Sequence, residues 1–375
     1  MSKNNKTDVL FIQPGYAHYR DRLFSILSNR HDIHFVFEHT LSVYPGAIRP
    51  VGIPYTFLDH KYRISSVGLV YHLLKHRPNI VISSVSSSFR SVVSFLYTIF
   101  FRKRFILWIL EFRKQRPSSH LLKHLWRLSK NLIGIMLIRH SHSLVVGGSA
   151  AKRHALSLGK DENDIFMAMQ CSNDLKQQQG MKYKKMKCHT KKCTFLYMSR
   201  IIPYKGLDIL LKAFSLLRNK RADVYLLIGG DGPFLKYCQQ LAKTLVIKNV
   251  SFVGAVNPVS VFDLYQQADV FVLPSYYRKN RYEVWGLVIN EAMSMSLPII
   301  TTKAVGAAYD LVIEGYNGCI VEDNDVMNLY KAMERIINLD FVQMGLNSRS
   351  LFEKKNDFIR MADGFSLAIE HAISK

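Results

Sequence analysis

The sequence predicts an α/β protein made of two Rossmann-like domains. The chain has 375 residues, a length typical of two domains that each bury a core of their own. Short apolar runs alternate with helical patterns from one end of the chain to the other, as in doubly wound α/β units. Within each run the apolar residues are continuous, which is typical of parallel strands that are covered on both faces.

The composition excludes several other classes of protein. Hydrophobic residues make up 48% of the chain and charged residues 21%, which indicates a globular protein. Five cysteines are too few for a disulfide scaffold, and their odd number favours a reducing compartment. The uncharged run Ser91–Phe101 is much shorter than the roughly 20 residues of a membrane-spanning helix. The N-terminus does not resemble a secretory signal, so we expect a cytosolic protein.

Ten apolar runs are candidate strands, and a lysine-rich break separates them into two series. The first series is Val9–Ile12, Ile33–Phe37, Ile80–Ser83, Phe105–Leu110 and Ser143–Val146. The second series is Thr194–Met198, Val224–Ile228, Ser251–Val253, Val270–Leu273 and Ile299–Thr301.

The break defines the expected domains. It lacks periodicity and is rich in lysine and glutamine, which is typical of a linker. We therefore predict an N-terminal Rossmann-like domain at 1–176, a linker at 177–192 and a C-terminal Rossmann-like domain at 193–355. Residues 356–375 have the apolar spacing of a helix, which is a candidate to pack back on the N-terminal domain.

The positive charge is concentrated in the first half of the chain. The formal net charge is +23, and residues 61–153 carry 17 Lys or Arg residues against one acid, Glu111. From Cys193 onward 20 basic residues nearly balance 18 acidic ones. Such an excess points to an anionic partner: nucleic acid, an anionic lipid surface or a phosphorylated substrate.

Two segments of the basic region combine cations with apolar residues. The run 91–101 is bounded by Arg90 and by three cations at 102–104, and a helical pattern over 121–139 places Lys123, Arg127 and Lys130 on one face. Two interpretations stay open at this stage. The segments are interfacial membrane helices, or they are ordinary surface helices with solvated lysines.

A candidate anion site follows the first strand of the second series. That strand ends at Ser199, Arg200 and Lys205 lie in the loop, and a helix begins near Gly206. Two cations at the carboxyl end of a strand, beside a helix N-terminus, suit a diphosphate. The glycine-rich run 227–233 matches no nucleotide fingerprint, and we interpret it as a turn and a helix start.

Two carboxylates, Glu283 and Glu291, are eight residues apart in a strand–loop–helix segment. Glu283 falls in the loop, and Glu291 falls within the helix that starts near Val284–Leu287. A carboxylate on that helix can accept hydrogen bonds from two ribose hydroxyls, and free N–H groups at the helix start can hold phosphate or sugar oxygens. The loop carboxylate then faces the group beyond the phosphates.

At this point the residues resemble a family. The runs RIIPYKGLDILLKAF, LLIGGDGP, SFVGAV, ADVFVLPS, EVWGLVINEAMSMSLPIITT, GAAYDLV and GYNGCIV follow in order from Cys193 to about Ile337. This segment resembles a family 4 glycosyltransferase of the GT-B fold. The resemblance implies two facing Rossmann-like domains with a nucleotide-sugar in the cleft between them. It also implies transfer with retention of configuration, no metal and no cofactor.

The resemblance also implies roles for particular residues. Arg200 and Lys205 are expected to meet the donor diphosphate, Glu291 to bind ribose, and Glu283 to contact the transferred sugar. We therefore predict Glu283, Arg200 and Lys205 as catalytic residues. The predicted donor-binding residues are Gly15, Arg200, Lys205, Trp285, Gly286, Leu287 and Glu291.

The first half resembles the family less closely. Gly15 lies where the family has its first glycine-containing loop, and His18 follows it. The family often places an active-site His after the strand predicted at 105–110, whereas this chain has Glu111 there. His18 and Glu111 are therefore acceptor-side candidates. For His18 an incidental surface role is the leading alternative, and for Glu111 the alternative is that another residue takes the role of the family's histidine.

The function that the sequence predicts is a retaining glycosyltransferase at the cytosolic face of the membrane. It would move sugar from a UDP- or GDP-sugar to a lipid-linked or polysaccharide acceptor, and the region 61–153 would lie on anionic lipid. Other GT-B activities, such as a glycogen-synthase-like transferase or a sugar-nucleotide epimerase, are the alternatives. A basic nucleic-acid-binding protein is a third alternative, but no RNA- or DNA-binding motif supports it, so we expect no nucleic acid partner.

Overall fold

The chain forms two compact α/β units. The computed structural model describes residues 8–39, 50–58, 65–84, 86, 88–112, 121–178, 192–257 and 260–375. Residues 1–170 together with 357–375 form the first unit, and residues 171–356 form the second. The C-terminal segment therefore belongs to the first unit, and the second begins six residues before the predicted linker. Most of that linker, 179–191, lies outside the described residues.

The first unit contains a seven-stranded sheet in the order β3-β2-β1-β4-β5-β6-β7, with every described pairing parallel. Its strands are β1 Asp8–Gly15, β2 Asp32–His39, β3 Tyr55–Phe57, β4 Ile80–Ser84, β5 Arg104–Ile109, β6 Ser143–Val146 and β7 Ile165–Met167. Its helices are α1 Asp21–Arg30, α2 Ser65–His76, α3 Phe89–Phe100, α4 Leu121–His140, α5 Ser149–Ser157 and, from the end of the chain, α14 Phe358–Ser374.

Helix α14 completes the core of the first unit. The ring of Phe365 lies 5.4 Å from that of Phe11 on β1 and 5.1 Å from that of Trp108 on β5. All three side chains are almost fully buried, so the helix covers apolar surface of the central strands. At the end of the helix His371 hydrogen-bonds to Asp164, and Lys375 forms an ion pair with the same carboxylate.

The second unit contains a six-stranded parallel sheet in the order β10-β9-β8-β11-β12-β13. Its strands are β8 Cys193–Met198, β9 Val224–Gly229, β10 Val250–Gly254, β11 Val270–Leu273, β12 Ile299–Thr302 and β13 Gly318–Val321. Its helices are α6 Leu175–Gln178, α7 Leu207–Lys220, α8 Leu235–Thr244, α9 Val261–Gln266, α10 Leu287–Ser294, α11 Ala308–Leu311, α12 Val326–Ile337 and α13 Phe341–Lys355.

The strand order places the candidate site. Strands β8, β9 and β10 run outward in one direction, whereas β11, β12 and β13 run outward in the other, so the order reverses between β8 and β11. Ligands of open parallel sheets bind outside the carboxyl ends of the strands at such a reversal. The loops that follow β8 and β11 contain Lys205 and Glu283.

All ten predicted strands are present, with bounds shifted by three residues at most. Three further strands, β3, β7 and β13, are not predicted, and each lies at an edge of its sheet. In the parts of the chain that the structure describes, no helix is both long enough and apolar enough to cross a membrane.

Candidate functional site

The site centres on an ion pair between Lys205 and Glu283. Lys205 ends the short 3₁₀ helix Pro203–Lys205 after β8, and Glu283 lies in the loop between β11 and α10. The Lys205 Nζ donates to Glu283 Oε2, and each side chain is only 13% exposed. Burial lowers the pKa of Lys205 to about 8. A buried cation is thus held at the reversal of the sheet, where a phosphate could meet it.

Gly206 lets the Lys205 loop press against the end of β11. Its φ of 76° is left-handed, and a Cβ at this position would lie 2.0 Å from the carbonyl oxygen of Pro274. Only glycine tolerates both the conformation and the close approach. Helix α7 begins at the next residue, so its N-terminal N–H groups lie beside Lys205.

The backbone of Glu283 is clamped by the loop after β12. Its N–H donates to the carbonyl of Ala304 at 3.2 Å, and its carbonyl accepts from Gly306 N–H at 2.9 Å. A Cβ on Gly306 would lie 2.1 Å from the carbonyl oxygen of Val284, so this approach also requires glycine. The carboxylate is therefore placed by two neighbouring loops.

Helix α10 begins just after Glu283 in the chain. Gly286 is the N-cap with a φ of 97°, and the helix runs over Leu287–Ser294. Trp285 is buried and its Nε1 donates to Asn290 Oδ1 at 3.0 Å, which ties the loop to the helix. The first N–H groups of an α-helix have no partner within it, so the backbone at Gly286 and Leu287 can donate to a ligand.

Glu291 lies on the second turn of α10. The Tyr265 hydroxyl donates to its Oε2 at 2.9 Å, and burial raises the pKa of Glu291 to about 7. Among the described residues no group donates to the other carboxylate oxygen. That oxygen is a free acceptor for ligand hydroxyls.

Arg200 differs from the other site residues because its side chain is exposed. The glycine turn after β9 packs against the backbone on either side of it. Ile201 N–H donates to the Asp231 carbonyl at 2.8 Å, and a Cβ on Gly230 would lie 1.9 Å from the Ser199 carbonyl oxygen. The turn therefore shapes the loop that carries Arg200. The sequence does not reveal this role, because the run 227–233 matches no nucleotide fingerprint.

The three predicted residues of the first half lie at the carboxyl edge of the first unit's sheet. Gly15 is the last residue of β1, and His18 opens a short 3₁₀ helix just after it. Glu111 follows β5, and its carboxylate accepts from the N–H groups of Ser86 at 3.3 Å and Leu110 at 3.1 Å. Burial raises the pKa of Glu111. Within the first unit these positions flank the reversal between β1 and β4.

Sequence reasoning finds the charged residues of the second unit but misses those that hold them. Gly206, Asn290 and Gly306 lie within the runs quoted above, but the sequence assigns them no part in holding the charged residues. Tyr265 lies outside those runs, 26 positions from Glu291. In the described ranges no cluster of three His, Cys, Asp or Glu residues could hold a metal ion.

Comparison with known proteins agrees with this geometry. Residues 182–357 match the profile of the family described as glycosyl transferases group 1. A GDP-mannose-dependent α-(1-6)-phosphatidylinositol monomannoside mannosyltransferase of Mycolicibacterium smegmatis is 33% identical over 132 residues, 34% of each chain. The capsular polysaccharide biosynthesis glycosyltransferase CapM of Staphylococcus aureus is 31% identical over 169 residues, 42% of this chain and 41% of CapM. The chain thus spans less than half the length of these relatives.

Solved structures extend the likeness of fold to nearly the whole chain. HepE of Anabaena in complex with UDP superposes with a TM-score of 0.72 at 16% identity, over 97% of this chain and 100% of HepE. The predicted GT-B fold class is thereby confirmed. Residues 182–357, just under half of the chain, thus resemble the glycosyl transferases group 1 family in sequence.

Proposed function

We propose that the protein is a retaining glycosyltransferase that takes its sugar from a UDP- or GDP-linked donor and needs no metal. The observation that carries the proposal is the buried Lys205–Glu283 pair at the sheet reversal, beside the α10 N-terminus and Glu291. A cation, a helix start and two carboxylates there match the diphosphate, ribose and sugar of one ligand.

The departing nucleoside diphosphate needs positive charge as the glycosidic bond breaks. Lys205 supplies a buried ammonium, where the low dielectric strengthens its attraction for phosphate. Arg200 adds an exposed guanidinium on the same loop, and the α7 and α10 N-termini add N–H donors. On this proposal the protein meets the leaving-group charge without a metal.

The two carboxylates take different parts of the donor. The free oxygen of Glu291 accepts ribose hydroxyls while Tyr265 holds the other oxygen. Glu283 orients the transferred sugar and keeps Lys205 in place. The acceptor hydroxyl attacks the anomeric carbon from the face that the diphosphate leaves, and its proton passes to the departing phosphate oxygen. Glu283 forms no bond to the sugar in this route, which gives retention in one step.

The relatives' names support the classes of donor and acceptor. The mycobacterial relative is GDP-mannose-dependent and acts on a phosphatidylinositol mannoside, the staphylococcal one serves capsular polysaccharide biosynthesis, and HepE holds UDP. We extend these classes to this chain: a UDP- or GDP-sugar donor, and a lipid-linked or polysaccharide acceptor.

We propose further that the first unit lies on the cytosolic face of the membrane. Helices α2, α3 and α4 are neighbours, and they expose large apolar side chains. These include Tyr71, Leu74, Leu96, Ile99, Phe100, Trp126 and Leu132, which together form what we call the α2–α4 face. Cations interrupt it, and Lys130 lies 4.2 Å over the ring of Trp126. Apolar and cationic groups in one face suit an anionic lipid surface.

Product analysis tests the proposed activity. The donors are a panel of UDP- and GDP-sugars, and the acceptors are lipid extracts and oligosaccharides. NMR of the product assigns its anomeric configuration. Lys205→Ala and Glu291→Ala should each lower turnover by about 10²-fold or more. Glu322→Ala is the matched control, because Glu322 is an exposed partner of Lys303 in the same unit. Near-normal activity in both site variants, an inverted product, or loss of activity with EDTA contradicts the corresponding part of the proposal.

A further inference from the structure

A pocket opens in the second unit, near the Lys205–Glu283 pair and lined by other residues than those assigned to the donor. Its volume is about 610 Å³. One wall is formed by Tyr276–Lys279, the first part of the segment 276–282 that connects β11 to Glu283. The opposite wall is formed by the starts of α7 and α8. The pocket lies among residues to which the proposed transfer reaction assigns no role.

The segment 276–282 forms a hairpin with a two-residue turn. Arg278 and Arg281 exchange backbone hydrogen bonds of 2.9 and 2.8 Å. Between them, Lys279 and Asn280 have φ values of 45° and 66°, as a type I′ turn requires. The Tyr277 hydroxyl donates to Asn280 Oδ1 at 2.8 Å. The turn is therefore held in one conformation without glycine.

The base of the hairpin is anchored to the site. Tyr276 N–H donates to the Tyr204 carbonyl at 2.8 Å, and Tyr204 directly precedes Lys205. Tyr277 N–H donates to Asp323 Oδ2 at 2.9 Å. A ligand in the pocket would thus lie next to the loops that hold the donor.

The pocket presents flat aromatic faces together with polar groups. Phe234 and Tyr237 stack with ring centroids 4.6 Å apart, and Tyr276 and Tyr277 line the opposite wall. The face of an aromatic ring is electronegative and attracts the polarised C–H groups of a sugar ring. Asp208 adds a carboxylate that accepts sugar hydroxyls, and its Oδ1 is buried with no hydrogen-bond partner among the described residues.

The pocket contains two cationic side chains. Arg278 and Lys279 both line it, and in the described ranges neither forms an ion pair with a carboxylate. Arg278 donates to the Tyr276 hydroxyl at 3.2 Å, which turns its guanidinium along the aromatic wall. Asp208 is the one acid among the described residues that line the pocket, and burial raises its pKa. Positive charge therefore dominates the pocket.

We propose that this pocket is an acceptor subsite that selects a sugar residue bearing a negative charge, a carboxylate or a phosphate. The inference rests on the proposed glycosyltransferase function and adds the class of glycan that the enzyme extends. The aromatic walls would hold the sugar ring, Asp208 would accept its hydroxyls, and Arg278 and Lys279 would bind its anion.

Ligand-detected NMR titration of the full chain tests the proposal directly. The probes are methyl glucuronide, glucose 6-phosphate and neutral methyl glucoside, with UDP and GDP present in excess to fill the donor site. Binding of either anionic probe at least about fivefold tighter than methyl glucoside, weakening as salt rises, supports the proposal. Comparable binding of all three probes overturns it. Tighter binding of methyl glucuronide indicates a uronate as the natural ligand, and tighter binding of glucose 6-phosphate indicates a phosphorylated sugar.

Variants locate the binding. Lys279→Gln and Arg278→Ala should each weaken the anionic probe at least about fivefold and leave UDP and GDP affinity unchanged. Lys243→Ala is the matched control, because Lys243 is an exposed lysine at the far end of α8. If Lys279→Gln and Arg278→Ala both bind like Lys243→Ala, the pocket is not the site. Failure of UDP and GDP to bind would count against the proposed function alone, since the probe titration is read separately.

Discussion

At the scale of single residues, the site depends on side chains whose pKa values are shifted towards neutral pH by burial. Lys205 carries the clearest example, because its pKa of about 8 lies well below that of a free lysine. Its ammonium is the buried cation assigned to the donor diphosphate. Deprotonation would remove that cation and leave the Glu283 carboxylate facing the phosphates.

We therefore predict an alkaline limit to donor use. kcat/KM for the nucleotide-sugar should be constant near pH 7 and fall as pH rises through about 8, because only the protonated Lys205 attracts phosphate. Lys205→Met should lower kcat/KM at pH 7 and abolish the fall. A wild-type profile that stays flat to pH 9.5, or a variant that keeps the fall, contradicts this assignment.

A second residue-scale prediction concerns Gly206. Gly206→Ala must place a Cβ 2.0 Å from the Pro274 carbonyl oxygen at a φ of 76°, whereas Gly254 has a φ of 80° with no atom within 4 Å of its Cβ position. Both substitutions incur left-handed strain of about 1 kcal/mol. Only the first adds a backbone clash, so its loss of unfolding free energy should be larger by about 2 kcal/mol or more. Urea denaturation measures both, and equal losses would contradict the close approach.

Lys205 and Gly206 show what a sequence reveals at this scale. The sequence predicts Lys205, Glu283 and Glu291 as site residues because charged residues that follow a strand or begin a helix are typical of a ligand site. Gly206, Gly306 and Tyr265 could not, since their roles come from backbone approaches and a contact across the fold. The glycine run at 227–233 lies between these cases. The sequence predicts its turn, but its packing under the Arg200 loop depends on how β8 and β9 pair.

At the scale of elements, β2 and α2 share a group of three histidines, of which His72 is buried and His34 and His76 are half-buried. The ring of His34 on β2 stacks 4.6 Å from that of His76, which in turn lies 5.6 Å from His72 on α2. Burial, together with His76, His72 and Lys75, lowers the pKa of His34 to about 4. The His34 ring also shares a hydrogen bond of 2.9 Å with the Thr56 hydroxyl on β3.

The stability of the protein should therefore fall in mild acid. The unfolded chain binds a proton at His34 near pH 6.5, but the folded chain does so only near pH 4. Between these values the unfolded state binds more protons, so unfolding free energy decreases as pH falls from 6.5 towards 4. His34→Gln should flatten this part of the profile, and His140→Gln, at an exposed position on α4, should not. Identical profiles of urea midpoint against pH for His34→Gln and wild type would rule out this histidine as the cause.

Element prediction from sequence succeeds here where the apolar pattern is long. The central strands and α7, α10 and α14 are each recognisable from a run of buried residues. The short strands β3, β7 and β13 each lie at the edge of a sheet, where they pair with a single neighbouring strand. The reversal between β8 and β11, which places the site, follows from strand order, and in the sequence only the family resemblance points to it.

At the scale of the whole molecule, the excess positive charge and the exposed apolar surface coincide. Residues 61–153 carry most of the net charge of +23, and they include α2, α3 and α4. A solvated surface helix accounts for exposed lysines, but it does not account for Phe100 at 81% exposure or Leu132 at 58%. The apolar side chains favour the membrane interpretation of this region over the solvated one.

The α2–α4 face should bind anionic vesicles through both kinds of group. We expect the protein to float with phosphatidylglycerol vesicles, and not with phosphatidylcholine vesicles, because cations draw it to the surface and apolar side chains then enter the interface. Raising salt should weaken the binding without abolishing it, since the apolar contribution is not screened. Replacing Trp126 and Leu132 together by serine should remove the salt-resistant fraction. Leu346→Ser, at an exposed position of 54% on α13 of the second unit, should leave binding unchanged. Flotation that salt abolishes completely in the wild type would mean that charge alone holds the protein, and the apolar side chains of this face would then have another role.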